Sequence, residues 1–259
     1  MKPGRLFLMK LQGVFVPIAI PFDHAGELYE IKVRHNVEKW NRTGLAGFVV
    51  AGSEAIYLDA DEKIRLWEWV AEYSGPEKLL IASTGAPSVH EAVRHANHAE
   101  SLGYKAILLR SSHTSVETQK IFFSAVADQS KAPILIDGER PPDLKHPNIL
   151  DIQVGRNSST IAQDFAAGAT AAIVDIASAI PYAAISIWEA HRTRESDAAL
   201  DWQKRIAPAV GLIEQYGIPA LKHAMDRNGY YGGPPRLPLT VLTPEVRQAV
   251  DEAFDGLKS

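Results

Sequence analysis

The chain contains no cysteine. Disulfides, thiolate zinc sites and cysteine nucleophiles are thereby excluded. It has no apolar run approaching the roughly 18 residues needed to span a bilayer. It also lacks a surplus of either charge: 27 Lys and Arg stand against 31 Asp and Glu, for a net charge of −4. A nucleic-acid or membrane-surface footprint would need a basic excess, so neither partner is expected. There is no Gly-x-Gly-x-x-Gly, P-loop or His-Glu-x-x-His pattern, and no cofactor or metal is implied. Near the start, the apolar run at 6–9 is too short for the core of a secretion signal, which predicts a cytoplasmic protein.

What is present is an ordinary globular composition of 46% hydrophobic and 22% charged residues over 259 positions. Such a chain can bury a sizeable core. Its length suits one α/β barrel, a fold that typically takes about 250 residues. Short apolar runs recur at 14–22, 47–51, 79–83, 106–109, 133–136, 149–154 and 171–177. They are apolar on both faces, as strands of a parallel sheet are when both faces are buried. Between them lie stretches of helical period. Residues 28–43 place Ile31, Val33, Val37 and Trp40 near one face. Asp59 to Glu62 supplies acidic residues for a helix N-terminus, and Ser88 and Gly103 read as N-cap and C-cap of the next helix. This alternation predicts βαβ units.

One stretch breaks the rhythm. Residues 138–171 leave room for one strand and one helix, at 160–167, and 139–147 reads as a Pro-rich loop. Seven strands are legible where a closed (β/α)8 barrel has eight. Either one βα unit is missing or a strand is short and irregular. Past residue 177 the pattern is helical only: helices are expected at 182–194, 198–216 and 218–228, and a last one behind Thr243-Pro244, with Thr as N-cap and Pro in the first turn. The expected division is a barrel at 1–181 and a helical C-terminal region at 182–259. The aromatic residues read as core.

Several segments together resemble the dihydrodipicolinate synthase/N-acetylneuraminate lyase family: GVFVPIAIPFD at 13–23, GLAGFVVAGSEA at 44–55, IASTGAPSVHEA at 81–92, HAESLGYKAILL at 98–109, AGA at 167–169, AIP at 179–181 and GGPPRLPL at 232–239. Each piece is weak alone. Their order and spacing cover nearly the whole chain. The resemblance implies a TIM-type barrel and a class I aldolase, in which a lysine on the sixth strand forms a Schiff base with a 2-oxo acid and a tyrosine on the fifth relays protons. It also implies a homo-oligomer. An amine used in this way must be desolvated, hence inside the barrel.

The sequence departs from that pattern. Laying 147–153 on the sixth strand puts Gln153 where the lysine belongs, and glutamine cannot form an imine. Laying 133–137 on the fifth strand puts Asp137 in the tyrosine's place. The substrate loop shortens to Gly52-Ser53-Glu54, and Ser112-His113-Thr114 replaces an expected tyrosine pair. Lys105 and Lys131 precede strands, at the far end from the mouth. Lys145 lies in the Pro-rich loop and Lys222 on a tail helix, and a surface position is expected for each, with Lys145, close in sequence to the lost position, the one alternative source of the amine.

Active sites of such barrels gather at the strand C-termini. The polar residues expected there are Ser53, Glu54, Thr84, Arg110, Ser112, His113, Asp137, Gln153, Arg156, Asn157, Asp175 and Ser178. Arg110 and Asp137 end adjacent strands. Arg110 could hold a carboxylate while Asp137 acts as a base, or the two pair with each other and fill the vacated site. Ser53, Glu54, Thr84, Gln153 and Asp175 are the further binding candidates, with Glu54 alternatively capping the helical segment that follows it. His113 is a general acid or simply exposed. His90, His95 and His98 share one predicted helix without metal spacing and read as a solvated face. Three readings remain: a lyase or aldolase acting on a small 2-oxo or sugar acid by altered means, an inactive relative that binds a small acid or a protein, and a purely structural oligomer subunit.

Overall fold

A computed structural model describes residues 11–257. The segment 1–10, weighed above as a signal, lies outside the described residues. Seven parallel strands form one sheet in the order β5-β4-β3-β2-β1-β7-β6. They are β1 (Gly13–Pro17), β2 (Gly47–Val50), β3 (Leu79–Ser83), β4 (Ala106–Leu109), β5 (Ile134–Ile136), β6 (Val154–Gly155) and β7 (Ala171–Ile173). Having β1 between β2 and β7 curls the sheet into a barrel. Five helices alternate with the strands: α1 (Glu30–Asn41), α2 (Ala60–Tyr73), α3 (Val89–Ser101), α4 (Val116–Gln129) and α5 (Ile161–Ala166). Four follow: α6 (Pro181–Arg192), α7 (Ser196–Tyr216), α8 (Ile218–Arg227) and α9 (Pro244–Ala253). Among the described residues no helix is long and apolar enough to cross a membrane.

The local chemistry explains the helix starts. Asp59 accepts from the Glu62 amide at 2.8 Å and Glu62 returns a bond to the Asp59 amide at 3.1 Å, a complete capping box for α2. Ser88, Ser115 and Thr243 cap α3, α4 and α9 through their hydroxyls. Gly47 has no tolerable substitute, because a Cβ there would lie 1.9 Å from the carbonyl oxygen of Leu79 on the neighbouring strand.

The sheet separates two apolar layers. Phe15, Val49, Ile81, Leu108, Leu135 and Ile173 meet inside the barrel. The opposite strand faces pack under the helices, around Trp40, Phe48, Trp67 and Phe123. Most aromatic rings are core, but Tyr182 is exposed and only edges against Trp202.

The eighth strand is vestigial. Ile149 makes one parallel bridge to Ile134, through bonds from the Ile134 amide to Asn148 O and from the Leu150 amide to Ile134 O, each 2.8 Å. The chain then crosses directly to the far side of the gap, where Thr170 donates to Gln153 O at 3.1 Å. No helix intervenes between this remnant and β6. The expected strand at 149–154 is thus two fragments on opposite sides of a seam between β5 and β6. A single stretch too short for a βα unit cannot pair continuously with both neighbours.

The tail is fastened to the barrel by polar groups. The buried Asn36 side chain on α1 bonds both the amide and the carbonyl of Tyr231, at 2.7 and 2.8 Å. Arg236 holds Glu62 of α2 through two nitrogens, at 2.6 and 2.7 Å, and also donates to Tyr57 O.

Candidate active site

Strand side chains alternate faces, so the position two residues beyond each inward-facing core residue must also face inward, one layer nearer the mouth. Moving on from Phe15, Val49, Ile81, Leu108, Leu135 and Ile173 gives Pro17, Ala51, Ser83, Arg110, Asp137 and Asp175. All six line a cavity of about 410 Å³ at the C-terminal end of the strands. Arg156 joins them, two residues beyond Val154. The turn at 52–56 and the first part of α2 complete the rim, the latter contributing Lys63. Ala51, buried and followed by Gly52, takes a left-handed φ of 59°, a conformation rare for alanine that turns the chain sharply at the cavity wall.

The charged groups form one cluster. Arg110 Nε donates to Asp137 Oδ2 at 2.8 Å, so the charged groups of the two strand ends do meet. Arg156 Nη1 reaches the other oxygen, Oδ1, at 3.5 Å, and Nη2 donates to the carbonyl of Ile136 at 3.2 Å. Asp137 therefore has an arginine on each oxygen. Burial pulls the Arg156 guanidinium down from its usual value, with Asp137 opposing that shift, but an arginine remains charged in any protein setting. Two guanidinium groups and one carboxylate leave a surplus of positive charge in the cavity, to which Lys63 adds. Arg110 is 70% exposed in its side chain and can turn its remaining N–H groups toward a ligand. Across the cavity, Asp175 opens to the pocket itself, yet the protein around it disfavours the charged form and raises its carboxyl above the usual aspartate value.

Several expected site residues lie elsewhere. Glu54 neither lines the cavity nor caps a helix. It is buried, accepts from the Ile20 amide at 2.6 Å, and lies 3.3 Å from the ammonium of Lys222. Lys222, expected on the surface, is likewise buried and donates to Ile20 O and Gly232 O. Desolvation raises the Glu54 carboxyl and lowers the Lys222 ammonium, while each partner's charge offsets part of the other's shift. Glu54 belongs to the turn at 52–56 that forms part of the rim, but its side chain points away from the cavity toward Lys222. A lone lysine in a helical tail carries no sign in sequence of the carboxylate it will meet.

Thr84 is buried outside the cavity, because Ser83 and Gly85 on either side of it take the inward positions. Gln153 falls between Ile152 and Val154, which pack inside the barrel, and so faces away from the mouth. A Cβ on Gly168 would lie 4.0 Å from its Oε1, near the turn that leads into β7. Ser53 opens the turn after β2, and its side chain lies outside the described residues. Ser112 lines the cavity, whereas His113 packs edge-on against Phe122. Asn157 caps its own turn through Ser159, and Ser178 is buried against Pro17 O. On α3 only part of the histidine face is solvated: His95 is 1% exposed, its ring 5.5 Å from that of Trp67.

Lys63 is not among the lysines weighed from sequence, which precede strands or lie in the Pro-rich loop and on a tail helix. Helix N-termini in a βα barrel stand at the same end as the strand C-termini, so the early residues of α2 were equally placed to reach the mouth.

The arrangement can hold an anionic ligand and offers one carboxyl, Asp175, with a raised affinity for a proton. Comparison with known proteins extends this. The model of the dihydrodipicolinate synthetase family matches residues 10–137. A probable mitochondrial 4-hydroxy-2-oxoglutarate aldolase of Emericella nidulans is 28% identical, covering 93% of this chain and 93% of that protein. A 4-hydroxy-tetrahydrodipicolinate synthase of Methanothrix thermoacetophila is 26% identical, covering 90% and 92%. Among solved structures, an N-acetylneuraminate lyase from Fusobacterium nucleatum superposes with a TM-score of 0.84 at 16% identity, covering 96% of this chain and 99% of that one. That likeness concerns the fold.

Proposed function

We propose that the chain, whose residues 10–137 match the model of the dihydrodipicolinate synthetase family, is a lyase or aldolase of that family which binds a small 2-oxo acid at the barrel mouth without a strand-borne Schiff-base lysine. The observation that carries this reading is the lining of the cavity: two arginines from strand ends and, among the lysines of the described residues, only Lys63, which comes from a helix. Aldol chemistry next to a 2-oxo acid requires a carbanion at C3 whose charge spreads onto the carbonyl. An imine would supply the electron sink in a Schiff-base enzyme. Here Arg110 and Arg156 are the groups able to hold the carboxylate and the developing enolate oxygen. Asp175 is the carboxyl suited to move the proton, since both oxygens of Asp137 already accept from arginines.

The same saturation of Asp137 favours a second reading. The mouth is internally neutralised in part, as in a relative that keeps ligand binding and has lost turnover. In either case we take the working form to be a homo-oligomer, which light scattering checks.

Reductive trapping tests the proposal. The protein is incubated with pyruvate and borohydride and its intact mass measured, while calorimetry follows pyruvate binding. The expected result is saturable binding without a covalent adduct. An adduct mapped to Lys63 would replace the proposal with Schiff-base chemistry from a relocated amine. Absence of binding by any 2-oxo acid would remove it.

A further inference from the structure

The seam left by the vestigial strand is not filled. A second cavity, of about 200 Å³, opens between β5 and β6, and its inner wall consists of Leu135, Leu150, Ile152 and Val154. These four side chains belong to the apolar interior of the barrel. Its outer rim carries a solvent-exposed ion pair, Arg140 Nη1 to Asp151 Oδ1 at 2.8 Å. Arg156 lines both this cavity and the charged mouth, and is the partition between them. Its guanidinium lies on the mouth side, on Asp137.

We propose that the seam cavity is a subsite for an apolar substituent of the ligand, so that the acid this protein takes carries a hydrocarbon group at C3 or beyond. This rests on the reading of the mouth as a 2-oxo acid site and adds the class of acid. An acid anchored on Arg110 and Arg156 has its carbon chain beside the partition. The seam cavity is then an adjoining space with an aliphatic inner wall and a charged rim of Arg140 and Asp151. A polar ligand arm laid on that inner wall would meet four aliphatic side chains and lose its hydration there without replacement. A hydrocarbon arm loses nothing, and each buried methylene contributes about 0.8 kcal/mol, or roughly a fourfold gain in affinity. A barrel with a full eighth strand would have no such space, because the strand's own side chains would occupy it.

The test is a calorimetric series of straight-chain 2-oxo acids, from pyruvate to 2-oxohexanoate, on the wild-type protein and two variants. Ile152→Trp fills the seam cavity and Ile152→Ala enlarges it. The wild type should gain three- to fourfold in affinity per added methylene until the cavity is full. In Ile152→Trp the ratio of 2-oxohexanoate to pyruvate affinity should fall toward one. In Ile152→Ala the gain should continue to longer chains. If one variant does not fold, the other still decides. Pyruvate binding with a flat series, or a rising series that neither variant alters, overturns the subsite and leaves the 2-oxo acid reading in place. Failure of every acid in the series to bind overturns both.

Discussion

Arg156 on one side of the barrel seam donates to the carbonyl oxygen of Ile136 on the other, at 3.2 Å. The strands that carry these two residues share no backbone ladder. A side chain thus closes, at the mouth, a gap that an eighth strand closes along its length in a complete barrel. The same guanidinium contacts Asp137 and lines the candidate site, so closure of the barrel and shaping of the site depend on one residue.

Replacing this residue with an apolar one of similar length, Arg156→Met, should leave the Ile136 carbonyl without its cross-seam partner. The expected loss is about 1–3 kcal/mol of stability. Hydrogen exchange should rise at β5 and β6 and remain unchanged at β2 and β3. Uniform exchange across the sheet would show that the seam does not depend on Arg156.

Arg110→Ala should separate binding from stability. The Arg110–Asp137 pair is open to solvent on the arginine side, and such pairs contribute about 0–1 kcal/mol to folding. A charge-assisted bond to a ligand carboxylate is worth about 1.5–3 kcal/mol, so 2-oxo acid affinity should fall at least tenfold while the melting temperature hardly moves. An equal loss of both would assign Arg110 a structural role.

Proton transfer by Asp175 can be read from exchange of the C3 protons of pyruvate in heavy water, followed by NMR. Asp175→Asn should abolish protein-catalysed exchange. Because desolvation by the protein around it raises this carboxyl, the wild-type rate should fall with decreasing pH at a value above the ordinary 3.8 of aspartate. Exchange that persists in the asparagine variant would move the base elsewhere.

The Glu54–Lys222 pair calls for a double-mutant cycle. Lys222→Met alone strands a buried carboxylate and should cost about 3–5 kcal/mol. Adding Glu54→Gln removes the stranded charge and should recover a large part of that loss. Denaturant titration of the two single variants and the double measures the coupling, and strictly additive losses would mean the two groups act independently.

The Arg236 hydrogen bonds hold the Glu62 carboxyl below its ordinary value of 4.5. A group lowered on folding stabilises the fold above its unfolded value, and that contribution fades as pH falls through the folded value. The stability gap between wild type and Arg236→Met should therefore be constant near neutrality and narrow below about pH 4.5. A gap that persists unchanged to pH 3 would place its origin in packing of the arginine stem.

By itself the sequence determined the strand–helix alternation, six of the seven expected strands and the place of the break, because those rest on local period and on cap and turn chemistry. Ser88 and Thr243 as caps, the short chain between 138 and 171, and Arg110 and Asp137 at adjacent strand ends are all local or next-neighbour properties. The family resemblance was legible for the same reason, as ordered short segments. Facing was not legible where register was lost. A one-residue shift turns a strand side chain to the other face, and the broken sixth strand left Gln153 pointing outward and Arg156 inward. Nor was pairing across distance: Glu54 and Lys222 are 168 positions apart, and only the packed tail brings the ammonium to the carboxylate. The seam cavity belongs to the same class. The sequence showed that a βα unit was short, but whether the gap closes, fills or stays open depends on how the barrel relaxes around it, and that was decided by tertiary packing.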